Sequence, residues 1–271
     1  MQEGKEFKAF EADGWSRRAP TYQLLFGEIT AHAIEPLLEA AGVGAGMRVL
    51  DAAAGPGRLA AAAAARGATP VGLDIAEGMI ELARRNHPQL EFHLADVEEL
   101  PFADGSFDAV AGAFVLNHLP RPGRGVAELA RVLAPGGGLA LSVWDVPQRN
   151  RFMGVLMEAL EAADAPSAEL PAGPDPFAFA GDEVFATLLR DAGLENVAVR
   201  TLAFSHRIGD ADELWDGFMH GSVRTATRLC ALSPSQRARA HQELARGLEA
   251  HRAGEWLEVP AVAKIGSGRR P

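Results

Sequence analysis

Three short apolar runs in the first hundred residues each end in an acid: Asp51 in "VLDAAAGPG", Asp74 in "TPVGLD" and Asp96 in "LEFHLAD". The loop behind Asp51 is nearly bare, with Ala53, Gly55 and Gly57 leaving a backbone that a ligand can approach closely. A helix read from Gly57 onward brings free N–H groups and partial positive charge to the same place. The spacing Gly55-x-Gly57-x-x-Ala60 also fits the phosphate-binding G-x-G-x-x-G/A pattern, so the loop alone does not choose a ligand. The acid in front of it does. A carboxylate at Asp51 repels a pyrophosphate and attracts an ammonium or sulfonium group. Two unit charges about 4 Å apart interact by about 1 kcal/mol in water and about 4 kcal/mol at an effective dielectric of 20. The sign of that interaction favours S-adenosylmethionine over a nicotinamide dinucleotide. Asp74, 23 residues after Asp51, suits a ribose diol, and Asp96 suits an adenine amino group. Ile75 and Val97 offer apolar surface to the adenine faces.

Acids can be brought to one edge only by elements that alternate. Met47–Leu50 reads as a buried strand and 57–66 as a helix, and the alternation repeats through "ATPVGLD", "IAEGMIELARR", "LEFHLAD", "FDAVAGAFVL" and "GVAELARVLA" to "GGLALSVWD", bounded near 138–146. Strand–helix units of roughly thirty residues predict an α/β fold with a doubly wound, mostly parallel sheet, its ligand edge at the strand ends. Before this core, Leu25, Ile29, Ala33 and Leu37 form a helical stripe that Pro36 should interrupt. After it, "RNRFMGVLMEALEAA" and "DEVFATLLRDAG" read as helices and "LENVAVRTLAFSHRI" as a strand. Ser233, Pro234 and Gln236 mark the start of a further helix, and "LEVPAVAKIGSGRRP" reads as a closing strand.

As a set, "VLDAAAGPGR", "VGLDIAEGMIELARR", "ADVEELPFADGSFDAV", "FVLNHLPRP" and "LARVLAPGGGLALSVWD" resemble the class I S-adenosylmethionine-dependent methyltransferases, most nearly the small-molecule group with the ubiquinone and menaquinone enzymes. The likeness is specific over about 45–146. It implies a Rossmann-like, seven-stranded sheet with a helical lid (1–41), a cofactor-binding core (42–146), substrate-side helices with a sixth strand near 195–207 (147–255), and a last strand and tail (256–271). It further implies that Asp51, Ala53, Gly55 and Gly57 surround the methionine part of the cofactor. Asp74, Ile75 and Met79 would hold ribose and adenine, Asp96 and Val97 the adenine edge, and the Ala113 carbonyl the methionine ammonium. The family has glycine where this chain has Ala53. In the lid, Trp15 and Tyr22 either close over the cofactor, with Tyr22 donating to its carboxylate, or simply anchor a helix.

Methyl transfer needs nucleophile and methyl carbon brought together, water excluded and sometimes a proton removed. His118 in "LNHLP" is the first base candidate, followed by Asp145 and by His206 in "FSHRI". Trp215, Phe218, Met219 and His220 form either a pocket wall or helix core, with core favoured. No His/Cys/acid spacing fits a zinc site, and Asp145 with Asn117 is the only hint of another metal-binding set, so no metal is expected. The net charge of −10, with no concentrated basic face, argues against nucleic acid. Arg269 and Arg270 read as a frayed tail, and Cys230 as a small buried residue. Without a leader or an apolar span the chain reads as cytoplasmic, with a small-molecule acceptor, no membrane partner and room for a homodimer. The alternatives are an NAD(P)- or flavin-dependent oxidoreductase and an S-adenosylmethionine-binding regulator or cyclase that transfers no methyl group.

Overall fold

The computed structural model describes residues 2–167 and 169–271. Five parallel strands form the first part of the sheet: β1 (Arg48–Ala52), β2 (Thr69–Asp74), β3 (Glu91–Leu94), β4 (Phe107–Gly112) and β5 (Leu133–Trp144). β6 (Glu195–Ile208) and the long β8 (Trp256–Arg269) complete it in the order β3-β2-β1-β4-β5-β8-β6, with β8 antiparallel to both neighbours. The sheet has eight strands rather than seven, because Arg252–Ala253 forms a two-residue β7 that turns back onto β8 at Gly254, whose φ is +68°.

Alternation along each strand sends side chains to opposite faces. Val49, Ala109, Ala111 and Ala140 pack with α3 (Ile34–Ala41), α4 (Arg58–Ala65) and α7 (Arg151–Ala162). Their neighbours Leu50, Val110, Leu139 and Leu141 pack with α6 (Pro122–Val132) and α8 (Asp182–Asp191). Helices therefore cover both faces, and the ends of β1–β5 are left to carry a site. α5 (Glu77–Asn86) lies over β2 and β3 through Ile80, Ala83 and Phe92.

α1 (Gln2–Tyr22) is followed by α2 (Phe26–Ala31). The stripe of Leu25, Ile29, Ala33 and Leu37 is fully buried, and the chain breaks at His32–Ala33 so that Pro36 falls in the first turn of α3. The expected start of α11 (Pro234–Leu248) is present: Ser233 caps Gln236 and Gln236 returns the bond. α9 (Ala211–Gly221) and the short α10 (Arg224–Cys230) lie between β6 and α11.

Two expectations are corrected. Cys230 is exposed at the end of α10, with Sγ 3.7 Å from Met219 Sδ. The C-terminal arginines are not a frayed tail: Arg269 pairs with Gly138 and Glu195 in the sheet. The Arg270 N–H donates to Gly137 O at 3.0 Å, and its guanidinium donates to Arg131 O at 2.7 Å and to Leu133 O, tying the α6–β5 junction to the end of the chain. Charged donors on partly buried carbonyls are worth about 1–3 kcal/mol. Arg270→Ala should therefore lower unfolding free energy by about that amount in urea titrations, whereas a loss under about 0.5 kcal/mol would return Arg270 to the role of a tail.

Candidate functional site

The strand-end acids do not share one task. Gly57, at φ +84°, is the N-cap of α4 and has no side chain with which to cap it. Asp51 supplies the missing acceptor from β1, its Oδ2 receiving the Ala60 N–H at 2.9 Å. Asp51 is 1% exposed and is not among the residues that line the cleft at the strand ends; in this arrangement its carboxyl serves the start of α4. Burial pushes its carboxyl up to about 7, the nearby Asp74 adds to the rise, and the Ala60 N–H opposes it. Gly57 also lies away from the cleft, and a Cβ there would meet Phe92 at 2.7 Å. Its absence permits close packing of helix on strand.

Asp74 does line the cleft. Its Oδ2 accepts from Gly55 N and its Oδ1 from Ala76 N, both at 2.9 Å, so one side chain fixes the turn after β1 and the start of α5. Burial raises its pKa, and the two backbone donors oppose the rise. Gly55 sits beside it at φ +50° with nothing within 4 Å of a Cβ built there. Ala53 carries φ +59°, a left-handed conformation that costs an L-residue about 1 kcal/mol. This answers how the loop tolerates a methyl group there: as strain, not as a clash. Phe114, with φ +56°, is the second strained residue of the cleft, and its ring stacks 4.0 Å from Trp144.

Ile75, Met79, Val97 and Ala113 line the cleft as expected. Asp96 lines it too, but with a partner that the sequence did not disclose. Lys8 of α1 pairs with Asp96 and, at 2.8 Å, with the fully buried Glu98, which also receives Arg121. Any adenine amino group would have to share Asp96 with that ammonium.

α1 closes the cleft. Gly78 lets it lie on α5, where a Cβ would stand 2.4 Å from Ser16 O. Trp15 and Tyr22 both line the cleft, with ring centroids 5.7 Å apart, and the Tyr22 hydroxyl is 3.3 Å from Thr30 Oγ1. The same helix carries Glu11, 1% exposed, whose Oε2 accepts from Trp15 Nε1 and from His118 Nδ1, each at 2.8 Å. His118 Nε2 lies 3.1 Å from Asn117 Nδ2. These partners assign the proton to Nδ1 and leave Nε2 as an acceptor toward the cleft. Sequence reasoning missed Glu11 because nothing in its neighbours marks a helix acid that reaches a loop 107 residues away.

The other base candidates lie outside the cleft. Asp145 is 2% exposed and held by Arg149 at 2.9 Å and Lys264 at 3.7 Å. His206 stands on β6 beside His32, ring centroids 5.8 Å apart, and burial lowers its pKa. Trp215 and Phe218 are core, and His220 is exposed.

The cleft holds about 1290 Å³ of unfilled space, part of it open to solvent. Glu11, Asp74 and Asp96 line it together with the cations Lys8 and Arg224, as do the rings of Phe26, Phe114 and Trp144. Two buried acceptors there, Glu11 Oε1 and Asn117 Oδ1, have no partner among the described residues. Acids, unsatisfied acceptors and open space at Gly55 fit a cationic, nucleoside-like molecule. Among the described residues no helix is long and apolar enough to cross a membrane.

Because burial has raised Asp51, folding favours its protonated form. That stability is complete below the ordinary carboxylate pKa near 3.9 and is lost as pH rises through about 7. Asp51→Asn should flatten the loss between pH 5 and pH 8 by up to about 2.5 kcal/mol in urea titrations. An unchanged slope would mean that Asp51 is not the titrating group.

Residues 50–141 match the family model described as a methyltransferase domain. The demethylmenaquinone methyltransferase of Renibacterium salmoninarum is 35% identical over 175 residues, covering 61% of this chain and 74% of that protein. Among solved structures, phosphoethanolamine N-methyltransferase 2 of Haemonchus contortus, in complex with S-adenosylhomocysteine, is similar with a TM-score of 0.55 at 16% identity, covering 88% of this chain and 52% of that one. The cyclase SpnF is similar with a TM-score of 0.52 at 20% identity, covering 88% and 79%. At those identities the structures speak for the fold, and the curated relative speaks for the family. The chain belongs to the class I methyltransferase family, in the group that includes the demethylmenaquinone enzymes, and is a methyltransferase.

Proposed function

We propose that the protein transfers a methyl group from S-adenosylmethionine to a small aromatic acceptor, with S-adenosylhomocysteine as by-product. The observation that carries this is the presence, in one cleft, of the Asp74 carboxylate beside the open turn at Gly55 and of the stacked rings of Phe114 and Trp144. The Renibacterium relative is named for a menaquinone precursor, which agrees with an apolar ring against Phe114 and Trp144.

Asp74 would hold the ribose diol, Ile75 and Val97 the adenine faces, and Asn117 Oδ1 or the Ala113 carbonyl the methionine ammonium. When bound, S-adenosylmethionine supplies an electrophilic methyl carbon whose thioether leaves without a proton. The chain's own residues then have to position the acceptor, exclude water and remove a proton. Trp15 and Tyr22 on α1 keep solvent from the cleft. His118 Nε2 takes the proton from an acceptor hydroxyl, displacing the Asn117 amide as its partner. Glu11 accepts a hydrogen bond from Nδ1–H, so it fixes the ring and stabilises the imidazolium that forms when Nε2 takes the proton. Asp51 acts only on the frame, through α4.

Calorimetry should give an S-adenosylmethionine affinity that Asp74→Ala weakens at least tenfold, about 1.4 kcal/mol. An unchanged affinity would remove Asp74 from the ribose, and uptake of NADH in place of S-adenosylmethionine would favour an oxidoreductase. Binding without release of S-adenosylhomocysteine on any aromatic acceptor would favour a regulator or cyclase. His118→Ala should lower kcat about 10²–10⁴-fold with little effect on cofactor affinity, and Glu11→Gln should lower kcat less, in the same direction. Equal falls in kcat and cofactor affinity would reduce His118 to a positioning residue.

A further inference from the structure

A second cavity adjoins the cleft and shares Met153, Pro176, Arg224 and Thr225 with it. Its walls are apolar: Leu156 and Leu160 of α7, Leu170 and Phe177 of the Pro-rich loop, and Phe218 of α9. Two guanidinium groups interrupt this lining. Arg224 and Arg228 stand one turn apart on α10, so both face the same way.

Neither arginine is neutralised. Arg224 donates to Pro174 O at 2.9 Å and sits 5.8 Å over the Phe7 ring, but among the described residues it forms no ion pair with a carboxylate. Arg228 has a buried Nε with no hydrogen-bond partner and likewise no ion pair among the described residues. Most other arginines of the chain are paired, including the exposed Arg190 and Arg207. Asp175 lines the cavity and accepts from Phe177 N at 2.9 Å, and Glu11, which lines the cleft, binds Trp15 and His118 through Oε2; neither pairs with Arg224. Burial pushes the Arg224 guanidinium below its ordinary value, with Glu11 and Asp175 pulling the other way. A half-buried cation at the junction of the cleft and an apolar cavity, with no carboxylate paired to it among the described residues, is a cost that a ligand's anion offsets.

We propose that this junction is an acceptor subsite, in which Arg224, assisted by Arg228, binds a carboxylate whose apolar substituent fills the second cavity. The acceptor is then an aromatic carboxylic acid with a hydrocarbon chain. It is not a neutral quinone-type ring alone. This rests on the methyltransferase reading for the identity of the first cleft, while the subsite itself stands on the cavity and its two cations. A guanidinium matches a carboxylate with two parallel N–H donors, and the geometry is selective because an amide of the same shape offers one acceptor and no charge.

The test uses the full chain, with octanoate and octanamide as probes and S-adenosylmethionine titrated separately. Calorimetry should show octanoate bound at least tenfold more tightly than octanamide. Arg224→Met should abolish that preference while leaving octanamide and S-adenosylmethionine affinities within twofold. Arg224→Lys should keep part of the preference, which separates lost charge from a disturbed loop. Arg228→Met should reduce the preference by a smaller factor. Equal affinities for the two probes, no binding of either, or a preference that survives Arg224→Met would overturn the subsite. S-adenosylmethionine failing to bind while octanoate does would overturn the methyltransferase chemistry and leave the subsite standing.

Discussion

Strand-end carboxylates hold backbone N–H groups, and the shape of the cleft depends on that arrangement. The loop after β1 is too poor in side chains to fix itself, and α4 begins at a glycine that cannot cap it. Asp51 completes α4 from below, while Asp74 joins the turn at Gly55 to the first residue of the chain leading into α5. Asp96 does the same on a smaller scale, its Oδ1 accepting from Glu98 N at 2.8 Å. Buried charge is costly unless it is hydrogen-bonded, and these bonds are what make the acids tolerable. The result is a rigid rim in which the carboxylate of Asp74 and that of Asp96, paired to Lys8, line the cleft, with strain held at Ala53 and Phe114.

That rim is completed from far away in sequence. α1 brings Lys8 to Asp96, Glu11 to His118, and the rings of Trp15 and Tyr22 to the mouth of the cleft. The base candidate follows β4, whereas its orienting acid and the cover both belong to α1 and are in place only when α1 lies on α5. Packing at Gly78 and the bond from Gly78 N to Ser16 Oγ at 3.2 Å set that position. In the proposed reaction, orientation of the base and exclusion of water both depend on that one helix–helix contact.

The parts of this design legible in the sequence are those written in short-range pattern. Alternating strands and helices, the acids that end them, the capping box at Ser233 and the stripe from Leu25 to Leu37 all follow from local periodicity, and the fold follows from them. What the sequence obscured is long-range. A carboxylate such as Asp51 looks the same whether it faces a ligand or a helix N-terminus, and only the direction of its side chain separates the two. Asp145 ends a strand as Asp74 does, yet Lys264 of β8 and Arg149 engage it outside the cleft. Arg270 read as tail because the last strand, β8, inserts between β5 and β6 and does not add at the edge of the sheet. Glu11 carries no local mark at all.

A crystal structure of the protein with S-adenosylhomocysteine bound is the most direct measurement. The account predicts ribose hydroxyls on Asp74, adenine between Ile75 and Val97, and the sulfur turned toward Phe114, Trp144 and His118. A ligand bound elsewhere, or one whose ribose leaves Asp74 engaged only with Gly55 and Ala76, would contradict it.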